Sequence, residues 1–178
     1  PTDEYNCDML TGVAHVQEKL VLMLDVEKIT QTISPSIMAA EIDSGDASLR
    51  QARSEKKIVV AEDSNTIRNM ICNTLIEDGY KQLEICRNGE EAWNKIQKDS
   101  SINLVITDIE MPRLDGLHLT KLIKSDDDLR KIPVIIFSSI ISEDNRNKGD
   151  AVGADEQISK PELNKLVATV DRFLNVSA

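Results

Sequence analysis

The sequence has few of the features that mark disulfide-rich, zinc-binding, membrane-spanning or nucleic-acid-binding proteins. Its three cysteines, Cys7, Cys72 and Cys86, are an odd number without C-x-x-C spacing, so neither a disulfide framework nor a cysteine zinc site follows. The longest purely apolar run, Leu20–Leu24, is far shorter than a membrane span. We therefore expect a protein of the reducing cytoplasm that does not insert into membranes.

Charge and motif content exclude further classes. The chain has 21 Lys and Arg against 31 Asp and Glu, and its net charge of −10 argues against a nucleic-acid partner. The two histidines, His15 and His118, are isolated and have no partners at metal-ligand spacing. Gly-x-Gly-x-x-Gly and P-loop patterns are absent, which argues against a dinucleotide enzyme or an NTPase. Since the chain begins at Pro1, we expect it to be a piece of a longer protein.

Short apolar runs alternate with helical patterns from Ile58 onward, which is typical of a parallel sheet covered by helices. The runs are Ile58–Ala61, Leu83–Cys86, Leu104–Ile106, Val134–Phe137 and a weaker one at Ala154–Ser159. We predict an α/β fold with a doubly wound, five-stranded parallel sheet. Glu84 interrupts the second run, so that strand should lie near an edge. Ser64 should cap the first helix, and Pro161 should occupy the first position of the last one.

The upstream part has a different pattern. Residues 10–33 predict a β-hairpin, with a turn at residues 17–19, followed by a short helix. Residues 34–55 contain Pro35, Gly45 and several Ser and Asp residues, and we predict that they form a linker.

Chemistry-bearing side chains directly follow four of the predicted strands. They are the pair Glu62 and Asp63, then Asp108, Ser138 and Lys160. The carboxyl ends of parallel strands share one edge of a sheet, so these residues should converge on one site. Each alone has an ordinary explanation as a solvated strand end, a turn or a helix cap. Their order, each after a separate strand, favours a function.

Charge indicates what that function is. Three carboxylates brought together repel one another unless a cation is present, and an all-oxygen cluster suits Mg²⁺. Asp108, in the middle of the sheet, is placed to act as a nucleophile that forms an acyl phosphate. Lys160 supplies a positive charge, and the hydroxyl of Ser138 can donate to a phosphoryl oxygen.

Residues 56–178, and above all the run Leu104–Gly116, resemble the receiver domain of bacterial two-component response regulators. The resemblance implies a flavodoxin-like fold and a phosphoacceptor domain. It implies that Asp108 is phosphorylated and that Asp63, Asp108 and the backbone carbonyl of Glu110 ligate Mg²⁺. It further implies that Glu62 contacts the ion through water and that Ser138 is the switch hydroxyl. Lys160 is then the lysine that pairs with the aspartate or the phosphoryl group. It also implies a cis Lys160–Pro161 bond.

One position departs from the family pattern. Three residues before the lysine, where the family commonly has Tyr or Phe as a switch residue, the chain has Gln157. The phosphorylation chemistry should survive this change. The rearrangement of an aromatic ring that is usual in the family cannot occur, because this position has no ring.

Residues 1–33 resemble the C-terminal end of a CheW-like coupling domain, on the stretches Leu10–Val16 and Leu20–Ile29. A CheW-like domain followed by a receiver is the arrangement of the CheV chemotaxis family. The resemblance implies the histidine kinase CheA and chemoreceptors as partners and a location at chemoreceptor arrays. Since both faces of the hairpin carry apolar residues, we also expect self-association through residues 1–33.

Two other readings stay open from the sequence. One is a diffusible, stand-alone receiver with an unrelated N-terminal extension. The other is an aspartate-nucleophile phosphatase, although such enzymes typically carry a second Asp where this chain has Glu110. We expect a signalling protein that takes up and loses its own phosphoryl group rather than an enzyme.

Overall fold

The computed structural model of the protein describes residues 10–16, 19–24, 47–139 and 143–176. The chain divides into two compact units, residues 1–45 and 46–178. The predicted helix after the hairpin and most of the predicted linker lie outside the described residues. No helix within the described ranges is both long and apolar enough to cross a membrane.

The first unit contains the predicted hairpin. Strand β1 (Leu10–Val16) pairs antiparallel with β2 (Lys19–Leu24), and the register joins Val16 to Lys19 at the turn. The register shifts between Leu10 and Gly12, which indicates a bulge. The prediction of self-association depends on the side chains of this hairpin, which the structure does not describe.

The second unit is a five-stranded, all-parallel sheet with helices between its strands, as predicted. Its strands are β3 (Lys57–Ala61), β4 (Gln82–Cys86), β5 (Ile102–Thr107), β6 (Val134–Ser138) and β7 (Glu156–Ser159). Its helices are α1 (Ala47–Ser54), α2 (Asn65–Glu77), α3 (Gly89–Ile96), α4 (Gly116–Ser125), α5 (Glu143–Ala151) and α6 (Leu163–Leu174). The strand order is β4-β3-β5-β6-β7, so β4 is an edge strand and β5 is central.

The core lies in two layers, one on each face of the sheet, because successive residues of a strand point to opposite faces. Ile58 and Val60 of β3 belong to the layer that is covered by α2 and α6. Val59 and Ala61 belong to the layer that is covered by α3 and α4. The strands β3, β5 and β6 are buried on both faces, which explains why their sequences are almost continuously apolar.

Side-chain caps begin the helices α2, α3 and α4. Ser64 accepts a hydrogen bond from the backbone N–H of Ile67 and caps α2, as predicted. Asp115 caps α4 in the same way, through the N–H of His118. The prediction for Pro161 is wrong: α6 begins at Leu163, because the N–H of Glu162 closes a turn on the carbonyl of Ser159. The Lys160–Pro161 bond is cis, as the resemblance implied.

Residues 47–54 differ from the predicted linker because they form helix α1, which is part of the second unit. Leu49 and Ala52 lie against the core layer between α2 and α6. The guanidinium of Arg53 donates two hydrogen bonds to Asp171 of α6, at 2.9 and 2.5 Å, and one to the carbonyl of Asp78, at 2.8 Å. The hydroxyl of Tyr80 donates to the same Asp171 carboxylate at 2.6 Å. The packed unit therefore begins at residue 46 rather than 56.

This network makes Arg53 a residue of the fold. We expect Arg53→Met to lower the free energy of unfolding by about 2 kcal/mol, because it leaves the largely buried Asp171 carboxylate without its guanidinium partner. Arg50→Met, an exposed change on the same helix, should stay within about 0.5 kcal/mol of wild type. Urea denaturation measures both, and equal losses in the two variants would contradict the role of the network.

Candidate functional site

The strand register brings the predicted site residues to one edge of the sheet. Ala61 pairs with Thr107, so Glu62 and Asp108 occupy equivalent positions just beyond two neighbouring strands. The backbone N–H of Asp108 donates to the carbonyl of Ala61 at 2.9 Å and continues the ladder by one bond. The chain leaves β3 and β5 towards helices on opposite faces of the sheet, which opens a crevice at this point.

Three carboxylates meet in this crevice. One carboxylate oxygen each from Glu62, Asp63 and Asp108 lies within 4.8 Å of the other two. Glu62 and Asp108 are buried, whereas Asp63 is exposed at the rim. Carboxylates at this spacing repel one another in their charged forms. Positive charge close to the cluster would offset this repulsion.

Lys160 supplies one positive charge. Its ammonium lies 2.6 Å from Oε2 of Glu62 and 3.0 Å from Oδ2 of Asp108, and its side chain is 8% exposed. The strands β6 and β7 place it there. Ser138 pairs with Ser159, and the backbone N–H of Lys160 donates to the carbonyl of Ser138 at 3.1 Å. One lysine therefore bridges two carboxylates and leaves the cluster net negative.

Glu62 is held by the protein on both of its oxygens. Oε2 binds the ammonium of Lys160, and Oε1 accepts the backbone N–H of Ser64 at 3.2 Å. Burial raises the pKa of Glu62, the hydrogen bond and charge of Lys160 lower it, and the charge of Asp108 raises it. The net direction is upward, and burial is the largest cause.

Asp108 is fixed through its own loop. Its Oδ1 accepts the backbone N–H of Ile109 at 2.7 Å, while Oδ2 faces Lys160. Its carbonyl accepts the hydroxyl of Thr107 at 2.9 Å. Gly116 approaches this carbonyl so closely that a Cβ atom there would stand 1.8 Å from the oxygen. The nucleophile that the sequence indicated is therefore a buried carboxylate in a tightly packed turn.

The remaining predicted residues, Ser138, Glu110 and Gln157, differ in burial and in their partners. Ser138 ends β6, is 1% exposed, and is tied through its backbone to Lys160. Glu110 lies two residues after Asp108 with an exposed side chain. Gln157 belongs to β7 and is buried, but its amide nitrogen donates to the carbonyl of Arg146 and to Asp150 of α5, each at 2.8 Å. Where the family pattern has a ring, this chain thus has an amide that binds a neighbouring helix.

Sequence reasoning missed one residue beside the site. Arg68 of α2 is 7% exposed, and its guanidinium donates to the backbone carbonyls of Glu62 and Asp63 at 2.7 and 3.2 Å. An arginine on an amphipathic helix normally suggests a solvated side chain. The available signal was its place one turn after the cap Ser64, which turns its side chain back towards the acidic loop.

Known proteins are similar to this chain in sequence and fold. The response regulator receiver domain family matches residues 58–171. Chemotaxis protein CheY4 of Vibrio cholerae has a solved structure that covers 66% of this chain and 98% of its own, with a TM-score of 0.61 and 29% identity.

Two longer relatives extend beyond the receiver. A gliding motility regulatory protein of Myxococcus xanthus is 34% identical over 142 residues, which are 78% of this chain and 18% of that protein. Chemotaxis protein CheV1 of Helicobacter pylori is 27% identical over 176 residues, which are 97% of this chain and 54% of CheV1. The chain therefore spans only part of these relatives. Since the family match covers most of its length, with the acidic crevice at the expected strand ends, the chain belongs to the response regulator receiver domain family.

Proposed function

We propose that this receiver takes a phosphoryl group on Asp108 in a Mg²⁺-dependent reaction and signals through that modification. One observation carries the proposal: the buried Asp108 carboxylate lies within 4.8 Å of two other carboxylate ligand atoms and 3.0 Å from a buried lysine. A structural ion pair needs only one acid for its base, whereas here two acids bind one ammonium and a third acid lies beside them.

The acidic cluster fits a magnesium ion. Its oxygen donors suit a hard cation, and the net negative charge remaining after Lys160 favours one. Asp63, Asp108 and the backbone carbonyl of Glu110 would hold the ion, and Glu62, whose oxygens already bind Lys160 and Ser64, would act through water. When bound, Mg²⁺ neutralises the charge that builds on the oxygens of the transferring phosphoryl group.

The residues of the chain divide the transfer among them. An oxygen of Asp108 attacks phosphorus, the bond between phosphorus and the donor breaks, and the leaving group departs with the bonding electrons. The N–H of Ile109 holds the other oxygen of the carboxylate and orients it. Lys160 is 3.0 Å from Asp108, close enough to move its ammonium onto a phosphoryl oxygen. Ser138, at the end of the neighbouring strand, would donate a hydrogen bond from its hydroxyl to a second phosphoryl oxygen and so report the modification.

The proposed activity is that of a phosphoacceptor rather than of an enzyme with a diffusible substrate. The first experiment is incubation of the wild-type chain with Mg²⁺ and acetyl phosphate, followed by intact-mass analysis. We expect a gain of one phosphoryl group, labile to hydroxylamine, which borohydride reduction and peptide sequencing map to Asp108. A modification at another residue would contradict the proposal, and steady release of phosphate from phosphate esters over many turnovers would favour the phosphatase alternative.

We also propose that the receiver belongs to a CheV-type coupling protein, with the kinase CheA as phosphodonor and chemoreceptor arrays in the cytoplasm as its place of action. The similarity to CheV1 over 97% of this chain supports this proposal, since it includes the segment upstream of the receiver. The alternative of a diffusible receiver with an unrelated extension lacks this support. Phosphorylated CheA should replace acetyl phosphate as donor in the same mass experiment. If CheA transfers no phosphoryl group to this chain, the proposal that CheA is the phosphodonor is wrong.

A further inference from the structure

The Arg68 guanidinium is a buried cation that donates hydrogen bonds to neutral oxygens. It is 7% exposed, and among the residues that the structure describes it makes no ion pair with a carboxylate. Its acceptors are neutral oxygens: the carbonyls of Glu62 and Asp63 and the side-chain oxygen of Asn65. Burying a charge without a counterion is unfavourable unless hydrogen bonds and the surrounding field compensate. The two residues whose carbonyls it binds also carry two of the carboxylates of the acidic crevice.

Arg68 binds the backbone of Asp63 and not its carboxylate. The Asp63 carboxylate is exposed and accepts no hydrogen bond from the described part of the chain, so no donor fixes its rotamer. Its backbone is held instead, because one guanidinium nitrogen binds both its carbonyl and that of Glu62. These two hydrogen bonds restrain the loop between β3 and α2. Arg68 itself is anchored by helix α2, through its N–H to the carbonyl of Ser64 at 2.9 Å.

We propose that Arg68 is a positioning residue for the metal ligands: by binding the carbonyls of Glu62 and Asp63, it holds the backbone of this loop where the Asp63 carboxylate lies within reach of a divalent cation shared with Asp108. The inference rests on the proposed function, since it assumes that the acidic crevice binds Mg²⁺. Partners that orient metal ligands from outside typically change metal affinity about 10- to 100-fold when they are removed.

The direction in which Mg²⁺ affinity changes when Arg68 is replaced distinguishes a positioning role from a purely electrostatic one. Through its positive charge alone, Arg68 repels an incoming cation, so its removal would tighten Mg²⁺ binding. Through positioning, its removal frees the loop and weakens binding. The two roles therefore predict opposite changes in the same dissociation constant.

The experiment measures Mg²⁺ binding by calorimetry at fixed ionic strength for wild type, Arg68→Met and Arg68→Lys. We expect Arg68→Met to raise the Kd for Mg²⁺ about tenfold or more. Arg68→Lys, which keeps the charge but can reach fewer of the acceptors, should lie between it and wild type. The Mg²⁺ concentration for half-maximal phosphoryl uptake should rise in parallel, while the rate at saturating Mg²⁺ stays within about twofold of wild type.

Controls separate the ways in which the inference can fail. Lys121→Met removes an exposed positive charge from α4 and should leave the Kd unchanged. An unchanged or lowered Kd in Arg68→Met would overturn the positioning role. If Arg68→Met does not fold by circular dichroism, Arg68→Lys decides, and a wild-type Kd there overturns the inference. If the wild-type chain itself binds no Mg²⁺, the proposed function fails instead.

Discussion

Asp108→Asn is expected to abolish phosphoryl uptake from acetyl phosphate while the chain remains folded. The amide oxygen of asparagine carries no negative charge, so it is a poor nucleophile, and the change also removes one of three carboxylates from the proposed metal site. The local structure should persist, because an amide oxygen can still accept the N–H of Ile109 and Lys160 keeps its partner Glu62.

The stability of this variant is itself informative. The charge of Asp108 is one of the causes that raise the pKa of Glu62, so its removal relieves repulsion within the crevice. We therefore expect a free energy of unfolding equal to or above that of wild type in Mg²⁺-free buffer. Intact-mass analysis and urea denaturation measure the two quantities. A mass adduct that persists in Asp108→Asn would place the phosphoryl group elsewhere.

Asp115→Asn is the matched control for Asp108→Asn. It makes the same chemical change in the same loop, and asparagine caps a helix about as well as aspartate, so α4 should keep its start. Uptake should be within about twofold of wild type, because Asp115 lies outside the acidic cluster. Loss of uptake in both variants would mean that the loop, rather than the nucleophile, had been disturbed.

The sheet and the acidic cluster could be predicted because their signals are local. Strands buried on both faces read as apolar runs, and parallel pairing then places whatever follows them at one edge. Glu62, Asp63, Asp108 and Lys160 are found together for that reason. The edge position of β4 followed from Glu84 in the same way.

Features that depend on distant partners could not be predicted in this way. Helix α1 has a polar sequence that suggests a linker, and it is fixed by Arg53 and Asp171, which are 118 residues apart. Arg68 and Gln157 are polar residues that reasoning from pattern places in solvent or leaves without a role. The fold buries both, because each finds backbone or side-chain acceptors that sequence spacing does not reveal.

Gly116→Ala is expected to damage both the fold and the site. A Cβ atom at this position would stand 1.8 Å from the carbonyl oxygen of Asp108 and 2.8 Å from its carbon. The obstacle is backbone, so no change of rotamer can relieve it, and either α4 or the loop that carries Asp108 must move. Overpacking of a tight site typically costs 1–3 kcal/mol and occasionally more, and we expect about 3 kcal/mol here.

The displacement should also slow phosphoryl uptake, because the carbonyl that Gly116 approaches belongs to Asp108, the proposed phosphoacceptor. A shift of about 1 Å in a reacting group can lower a rate about 100-fold, so uptake from acetyl phosphate should fall by that order in the folded fraction. Gly149→Ala is the comparison, since its Cβ would meet the side-chain end of Gln157 at 2.4 Å, which can rotate away. That variant should lose about 1 kcal/mol and keep its uptake rate. If Gly116→Ala matched Gly149→Ala in both measurements, the close approach of α4 to Asp108 would have no bearing on the site.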